Sequence, residues 1–275
     1  MTQTPAAIRE AIDAGALVVI NHSGGKDSQA MMIELLAVVP REQLLVVHAT
    51  LGDIEWPGAL ELARDQAAAA GVPFVVARAV YQDGSEKTLL NMVEKRFADR
   101  PEVPSWPSSK SRFCTSDLKR GPIAREVRRY ANAHGFASVI SCEGLRAQES
   151  SERAKKSTVE INGRENNSKR RWVNWLPIHD LTTEQVFATI RRAGQKPHAA
   201  YAVGAGGQPT GAGNERLSCL FCIYACKRDL ANAADAHPEI FDRYVELEQR
   251  TGYTMHMSRR SLVDLVAEAR LAAAA

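Results

Sequence analysis

The sequence predicts a doubly wound parallel α/β sheet followed by a helical, cysteine-bearing C-terminal part. Three observations carry that prediction. Short continuous apolar runs recur through the first half: LVVI at 17–20, LLVV at 44–47, FVV at 74–76 and SVIS at 138–141. They alternate with segments of helical periodicity, and runs apolar on both faces belong to a parallel sheet covered on both sides. Beyond residue 195 the pattern changes to a Gly-rich stretch, three close cysteines and helical segments. The expected organisation is therefore an α/β domain over 1–195 and a cysteine-bearing helical segment over 196–275 packed on it.

Each element has its own warrant. After the strand at 17–20, residues 28–38 read as a helix with Ala30, Met31, Ile33, Leu35 and Val38 at its apolar positions. The strand at 44–47 precedes an Ala-rich helix at 58–70, and the strand at 74–76 precedes a helix at 89–97. A basic helix at 120–134 leads into the strand at 138–141. Residues 149–171 are polar and charge-rich, and read as a long mobile excursion, either a solvated loop or a flap over a ligand. Residues 171–177 are aromatic and strand-like. Thr182-Thr183-Glu184-Gln185 forms a capping-box pattern for a helix ending near Ala193. GAGGQPTGAG at 204–213 has the composition of a flexible loop, and no helix directly follows it. Segments 238–250 and 261–271 read as helices, with a frayed alanine tail.

Composition narrows the class. With 275 residues the chain can bury a substantial core without staples. Its net charge of +3 is too small to imply nucleic acid by itself. No apolar run reaches the ~18 residues of a membrane span. The N-terminus lacks the basic start and apolar core of a signal peptide. A cytoplasmic protein with no membrane partner is expected. There, five cysteines are more readily ligands, catalysts or core fillers than disulfide partners.

The strongest local signal is Ser23-Gly24-Gly25-Lys26-Asp27-Ser28, set between the first apolar strand and an apolar helix. Two glycines let backbone amides approach a ligand, and those amides with the helix N-terminus make an anion site. Ser23 and Ser28 can donate hydroxyl hydrogen bonds to phosphate, and Lys26 supplies a mobile cation. Asp27 can help place Mg²⁺ or cap the helix. The spacing is neither G-x-x-x-x-G-K-[ST] nor G-x-G-x-x-G. Arg146 and Arg153 follow the strand at 138–141, on the carboxyl side where open α/β sheets bind ligands. Guanidinium groups there suit phosphate or sulfate.

The SGGKDS loop resembles that of the PP-loop ATP pyrophosphatases, or adenine nucleotide alpha hydrolases. Within them, the chain resembles the 3′-phosphoadenylylsulfate (PAPS) reductase-like group. His48-Ala49-Thr50-Leu51-Gly52-Asp53-Ile54-Glu55-Trp56-Pro57 is similar to that group's D-T-G-x-x-x-P stretch, with Thr50 where an acidic residue is often found. The segment from Gly144 through Arg146 and Glu149 to Arg153 is similar to its G-x-R-x-x-E-S-x-x-R motif. The segment from Cys114 through Lys119 to Pro122 is similar to its C-x-x-x-x-K-x-x-P motif. The resemblance implies an enzyme that cleaves ATP between the α and β phosphates. It assigns Lys26 and Asp27 to catalysis, and Ser23, Gly24, Gly25, Ser28, Arg146 and Arg153 to the nucleotide.

Cys219, Cys222 and Cys226 form a C-x-x-C-x-x-x-C pattern. Thiolates so spaced suit an iron–sulfur cluster or zinc, both of which take four ligands in the usual case. Cys114 is the natural fourth, while Cys142 reads as a core residue. The related adenylylsulfate (APS) reductases hold a [4Fe–4S] cluster with a Cys-Cys pair, where this chain has Phe113-Cys114, and a later C-x-x-C. The resemblance thus implies a cluster on Cys114, Cys219, Cys222 and Cys226, with zinc or a three-cysteine site with an open position as alternatives. The family's catalytic tail cysteine, in an E-C-G-L-H-like motif, has no counterpart after Cys226. Its absence and the intact SGGKDS loop favour ATP chemistry over sulfonucleotide reduction.

The expected function is cleavage of Mg-ATP to AMP and pyrophosphate, activating an acceptor for sulfur transfer, as in the DNA phosphorothioation sulfurtransferase type. The alternatives are reduction of PAPS or APS by an external thiol or the cluster, and a non-catalytic nucleotide-binding regulator with structural zinc. Expected partners are an adenine nucleotide, a nucleic-acid or small-molecule acceptor, a sulfur-donor protein and, as a homo-oligomer, a second copy of the chain.

Overall fold

The structure, a computed structural model, describes residues 4–204 and 209–274. Six strands, β1 (Leu17–Asn21), β2 (Leu44–Ala49), β3 (Phe74–Ala77), β4 (Ser138–Cys142), β5 (Val159–Ile161) and β6 (Arg171–Trp175), form one sheet in the order β3-β2-β1-β4-β6-β5. All neighbours run parallel except the edge pair β5–β6. The order reverses at β1, which has β2 on one side and β4 on the other. The crevice outside the carboxyl ends of β1 and β4 is thus the switch point at which such sheets bind ligands.

Alternate residues of each central strand enter different cores. Val18 and Ile20 pack with Ile8, Ile12, Met31 and Met32, whereas Leu17 and Val19 pack with Val127, Ala131 and Trp172. Period-2 side-chain alternation under helices on both faces accounts for the continuous apolar runs. Cys142 lies in the first of these cores, fully buried, as its sequence context suggests.

Three differences from the sequence expectations bear on the site. The helix after β1, Lys26–Leu35, begins two residues before the expected position 28. Gly25 adopts the extended N-cap conformation, so Lys26, Asp27 and Ser28 form the first turn. Segment 149–171 is no plain excursion. It holds a helical turn (Ser151–Ala154) and strand β5, whose Val159 and Ile161 register against Trp175 and Val173. The return to β6 is closed by Asn side chains: Asn162 Oδ1 accepts from the Arg164 amide, and Asn166 Oδ1 from that of Trp172. Finally, the alanine tail does not fray within the described residues, because the last helix runs over Leu262–Ala274.

Helices at Ala6–Asp13 and Lys227–Ala236 were not anticipated. The C-terminal helices Lys227–Ala236, Pro238–Thr251 and Leu262–Ala274 bury Leu230, Tyr244, Leu247 and Leu265 against Ile54, Trp56, Leu90 and Trp106. This shared core places the cysteine segment beside the loop that follows β2.

Candidate functional site

The SGGKDS loop leaves β1 at the switch point and is shaped from within. Gly24 has φ +74°, and a Cβ there would stand 2.5 Å from the Ala59 carbonyl oxygen, so only glycine fits this approach to the helix Ala59–Ala70. The Ser23 amide donates to Ser28 Oγ (3.1 Å), the Gly24 amide to His22 Nδ1 (3.0 Å) and the Lys26 amide to the Tyr201 hydroxyl (3.1 Å). The Ser28 hydroxyl donates to the Gly25 carbonyl (2.9 Å). These three amides and Ser28 therefore hold the loop's shape, and do not lie open as the anion donors expected. Ser23 keeps an exposed side chain.

His22 sits beneath the loop. Because Nδ1 accepts from the Gly24 amide, the ring proton lies on Nε2 and is donated to Gln66 Oε1 (2.6 Å). Burial pushes its pKa down to about 4, against the raising effect of Gln66, so the ring is neutral at physiological pH.

Asp27 joins the two cations expected to meet phosphate. Its Oδ2 takes Lys26 Nζ at 2.9 Å and its Oδ1 takes Arg146 Nε at 2.6 Å. Lys26 and Arg146 are 2% and 3% exposed, so both charges are held at nearly dry positions. Lys26 Nζ also donates to the Glu215 carbonyl (3.2 Å) and lies 5.2 Å from the centre of the Tyr201 ring. Arg146 reaches the Leu181 carbonyl, Thr183 Oγ1 and Gln148 Oε1. Arg146 comes from the loop after β4, and Gly144 lets that loop pass close to the SGGKDS turn, since a Cβ there would meet the Asp27 backbone at 3.1 Å.

Lys26 and Arg146 line one cleft of about 370 Å³, together with Gln148, Glu149, Tyr201, Asn214, Glu215, Arg216 and Arg228. Four cations face two carboxylates there, a field that attracts a polyanion. Arg153 does not line the cleft. Its guanidinium is paired with Glu149, which also accepts from the Arg146 amide, so Arg153 buttresses the wall. Pro209, Gly211 and Gly213 of the Gly-rich stretch also line the cleft, although that stretch read only as a linker, while residues 205–208 lie outside the described residues. Tyr201, Asn214, Arg216 and Arg228 carried no motif and were missed. Their one sequence signal is proximity to the glycines and cysteines.

The Cys222 thiol lies near enough to raise the pKa values of both Cys114 and Cys219, although burial is the main cause in each. Cys219 is pushed up to about 12 against the opposing pull of Lys119. Lys119 is in turn held above its usual range, chiefly by Cys219 and then by Cys222 and Cys114. Cys226 stands apart. It occupies the N-cap of the helix Lys227–Ala236, and after burial the strongest influences on its thiol are Asp229 and Glu215. Three of the four expected ligands thus lie within electrostatic range of one another. Among the described residues, no three His, Cys, Asp or Glu side chains are arranged to hold a single metal ion. Beside the three thiols is a buried hydroxyl, that of Tyr244, with no hydrogen-bond partner.

The chain is similar to known proteins. An "Uncharacterized 37.8 kDa protein in gpa 5'region" of Escherichia phage 186 is 33% identical over 144 residues, covering 52% of this chain and 39% of that protein. The chain thus spans well under half the length of this relative. Two solved structures are similar at greater distance. The phosphoadenylyl-sulfate reductase of Candida auris in a phosphate complex has a TM-score of 0.43 and 16% identity, covering 70% of this chain and 79% of its own. The U34-tRNA thiolase NcsA of Methanococcus maripaludis with its [4Fe-4S] cluster has a TM-score of 0.41 and 14% identity, covering 96% and 77%. Residues 17–225, from β1 through the loop, the Arg146 segment and the Cys219–Cys222 pair, match the phosphoadenosine phosphosulfate reductase domain, and the chain belongs to that family.

Proposed function

We propose that the protein binds ATP with Mg²⁺ in the cleft, cleaves it to AMP and pyrophosphate, and so activates an acceptor for sulfur transfer. The observation that best supports this is the meeting of Lys26, Arg146 and an intact SGGKDS loop at the switch point of the sheet. Membership of a family named for a sulfonucleotide reductase supports nucleotide-linked sulfur chemistry. In the proposed reaction an acceptor oxygen attacks the α-phosphorus, the bond to the β-phosphate oxygen breaks, and pyrophosphate leaves with the electron pair. A sulfur nucleophile then displaces AMP, which carries away the acceptor's oxygen.

Lys26 and Arg146 would stabilise charge gathering on the departing pyrophosphate. Both are engaged by Asp27 in the structure, so each trades part of that ion pair for phosphate. The carboxylate so released would face Mg²⁺, a hard cation that prefers carboxylate and phosphate oxygens. An iron–sulfur cluster would be held by Cys114, Cys219 and Cys222. The three thiols are a soft donor set, and the unpartnered Tyr244 hydroxyl beside them suits a sulfur acceptor. A cluster there would supply soft coordination for sulfur. The acceptor would be a nucleic acid or a small molecule, and the sulfur would come from a donor protein.

The test is a side-by-side titration of ATP, APS and PAPS into protein purified without oxygen, with pyrophosphate release followed in the ATP arm. ATP binding with pyrophosphate release, abolished in a folded Lys26→Ala variant, is expected. Preference for APS or PAPS with no pyrophosphate would replace this reading with a sulfonucleotide reductase. Unchanged nucleotide binding in Lys26→Ala would remove the loop from the site.

A further inference from the structure

The wall of the cleft includes a donor that no motif marks. Asn214 is 6% exposed and lines the cleft, and its Nδ2 has no hydrogen-bond partner. The orientation of its amide is set by its neighbour. Asn232 Nδ2 donates to the Ala212 carbonyl (3.1 Å) and to Asn214 Oδ1 (2.9 Å). The carbonyl contact requires an NH₂ group on Asn232 at that point, and this in turn places an oxygen, not a nitrogen, of Asn214 toward Asn232. The Asn214 backbone is fixed as well, its amide donating to the Ala200 carbonyl at 2.8 Å. The NH₂ group is therefore left over, on a side chain that cannot flip without placing two donors face to face. A buried amide donor without an acceptor is costly unless a ligand supplies one.

The next residue identifies the ligand. The Glu215 carbonyl takes Lys26 Nζ at 3.2 Å, so Asn214 adjoins the anchor of the loop's cation. With Arg146, Arg216 and Arg228 also on the cleft, the acceptor that fits is an anionic phosphate oxygen. Resting on the ATP reading above, we propose that Asn214 is a binding residue that donates its side-chain amide to the pyrophosphate end of the nucleotide. It would act with Lys26 as a two-sided clamp on the leaving group, one partner a cation and the other a neutral donor.

The experiment titrates ATP, inorganic pyrophosphate and AMP separately into wild-type protein, Asn214→Asp and Asn214→Ala, with urea unfolding of each. Asn214→Asp keeps the Oδ1 that Asn232 needs but replaces the donor by a charged acceptor. It is expected to weaken ATP and pyrophosphate about a hundredfold or more and AMP less than about threefold. Asn214→Ala is expected to weaken ATP and pyrophosphate about tenfold, and reports on the site even if the aspartate variant fails to fold. Wild-type protein that binds ATP while both variants match it would overturn this inference and leave the ATP reading standing. A loss confined to AMP would also overturn it, by moving Asn214 to the nucleoside half. Failure of wild-type protein to bind ATP or pyrophosphate would instead reject the reading on which the inference rests.

Discussion

Gly24 and Gly25 are adjacent in the sequence but predict opposite responses to the same methyl group. At Gly24 the backbone is left-handed, which costs an alanine about 1–2 kcal/mol. Its Cβ would also stand 2.5 Å, 2.6 Å and 2.7 Å from the oxygen, Cα and Cβ of Ala59. Two of these are backbone atoms at the start of a helix and cannot rotate away, so overpacking adds about 1–3 kcal/mol. Gly24→Ala is thus expected to destabilise by about 2–5 kcal/mol. Gly25 has φ −83°, and its Cβ would meet the Tyr201 hydroxyl at 3.2 Å, with Leu217 Cβ and Ser23 Oγ at 3.4 Å. Those are side-chain atoms that yield by small shifts, so Gly25→Ala should cost less than about 1 kcal/mol. The shift moves Tyr201, however, which faces the cleft and accepts the Lys26 amide. Its nucleotide affinity should therefore fall by more than its stability. Urea unfolding followed by tryptophan fluorescence, with ATP titration of each folded variant, measures both. A Gly24→Ala protein within about 0.5 kcal/mol of wild type would refute the close-approach argument. So would a larger stability loss at Gly25.

Tyr201→Phe removes the one acceptor serving the amides of Lys26 and Leu217. It should cost about 2–4 kcal/mol in urea and weaken ATP binding, and a neutral result would show that the hydroxyl is dispensable. For His22 the folded pKa of about 4 lies below the ordinary histidine value of about 6.5. As pH falls from 7.5 to 5 the unfolded chain takes up a proton that the folded one refuses, and about 2 kcal/mol of stability is lost. His22→Asn should lack this component of the pH dependence between 6.5 and 4, and an unchanged slope would place the titration elsewhere. Cys114→Ser, Cys219→Ser and Cys222→Ser should each lower the iron and sulfide content of anaerobically purified protein, and Cys226→Ser should not. Iron loss in Cys226→Ser equal to the others would restore it as a ligand. Arg146→Lys should weaken ATP binding at least tenfold, because lysine cannot span Asp27, Thr183 and the Leu181 carbonyl together, whereas Arg153→Ala should change it less than about threefold.

The sheet was legible because burial on both faces imprints an unbroken apolar run on each central strand, and no polar segment imitates it. Strand β5 was not legible: Val159-Glu160-Ile161 is three residues long, with Ile161 62% exposed, and it exists only because β6 lends it a partner. In the site, Lys26, Asp27 and Arg146 were visible because their chemistry depends on local spacing after a strand. Tyr201 and Asn214 were invisible for the converse reason. Each works through a fold-dependent approach of more than 100 residues, Tyr201 to the Lys26 amide and Asn214 to the cleft, and neither type of residue advertises such a role. The cysteines fall between these cases. The C-x-x-C spacing located Cys219 and Cys222, but the next cysteine in sequence, Cys226, sits at a helix N-cap under the influence of other groups. A helix starts at Lys227, and the thiol before it turns toward Asp229.

That helix links the two halves of the site. Asp229, near its start, accepts the backbone amides of Glu215 (2.9 Å) and Arg216 (3.3 Å) with its two oxygens. These residues form the wall whose carbonyl holds Lys26 and whose guanidinium faces the cleft. The segment from Glu215 to Cys226 therefore reaches from the cleft wall to the thiols, and is pinned at its cleft end by the buried carboxylate of Asp229. Burial raises the pKa of Asp229, and the Glu215 amide offsets part of that cost by stabilising the charged form. A ligand that draws Lys26 away from Glu215 alters the load on this segment, and a group bound by Cys219 and Cys222 fixes its other end. Sulfur chemistry and phosphate chemistry would then share one short stretch of backbone, a physical reason for the two motifs to occur on one chain.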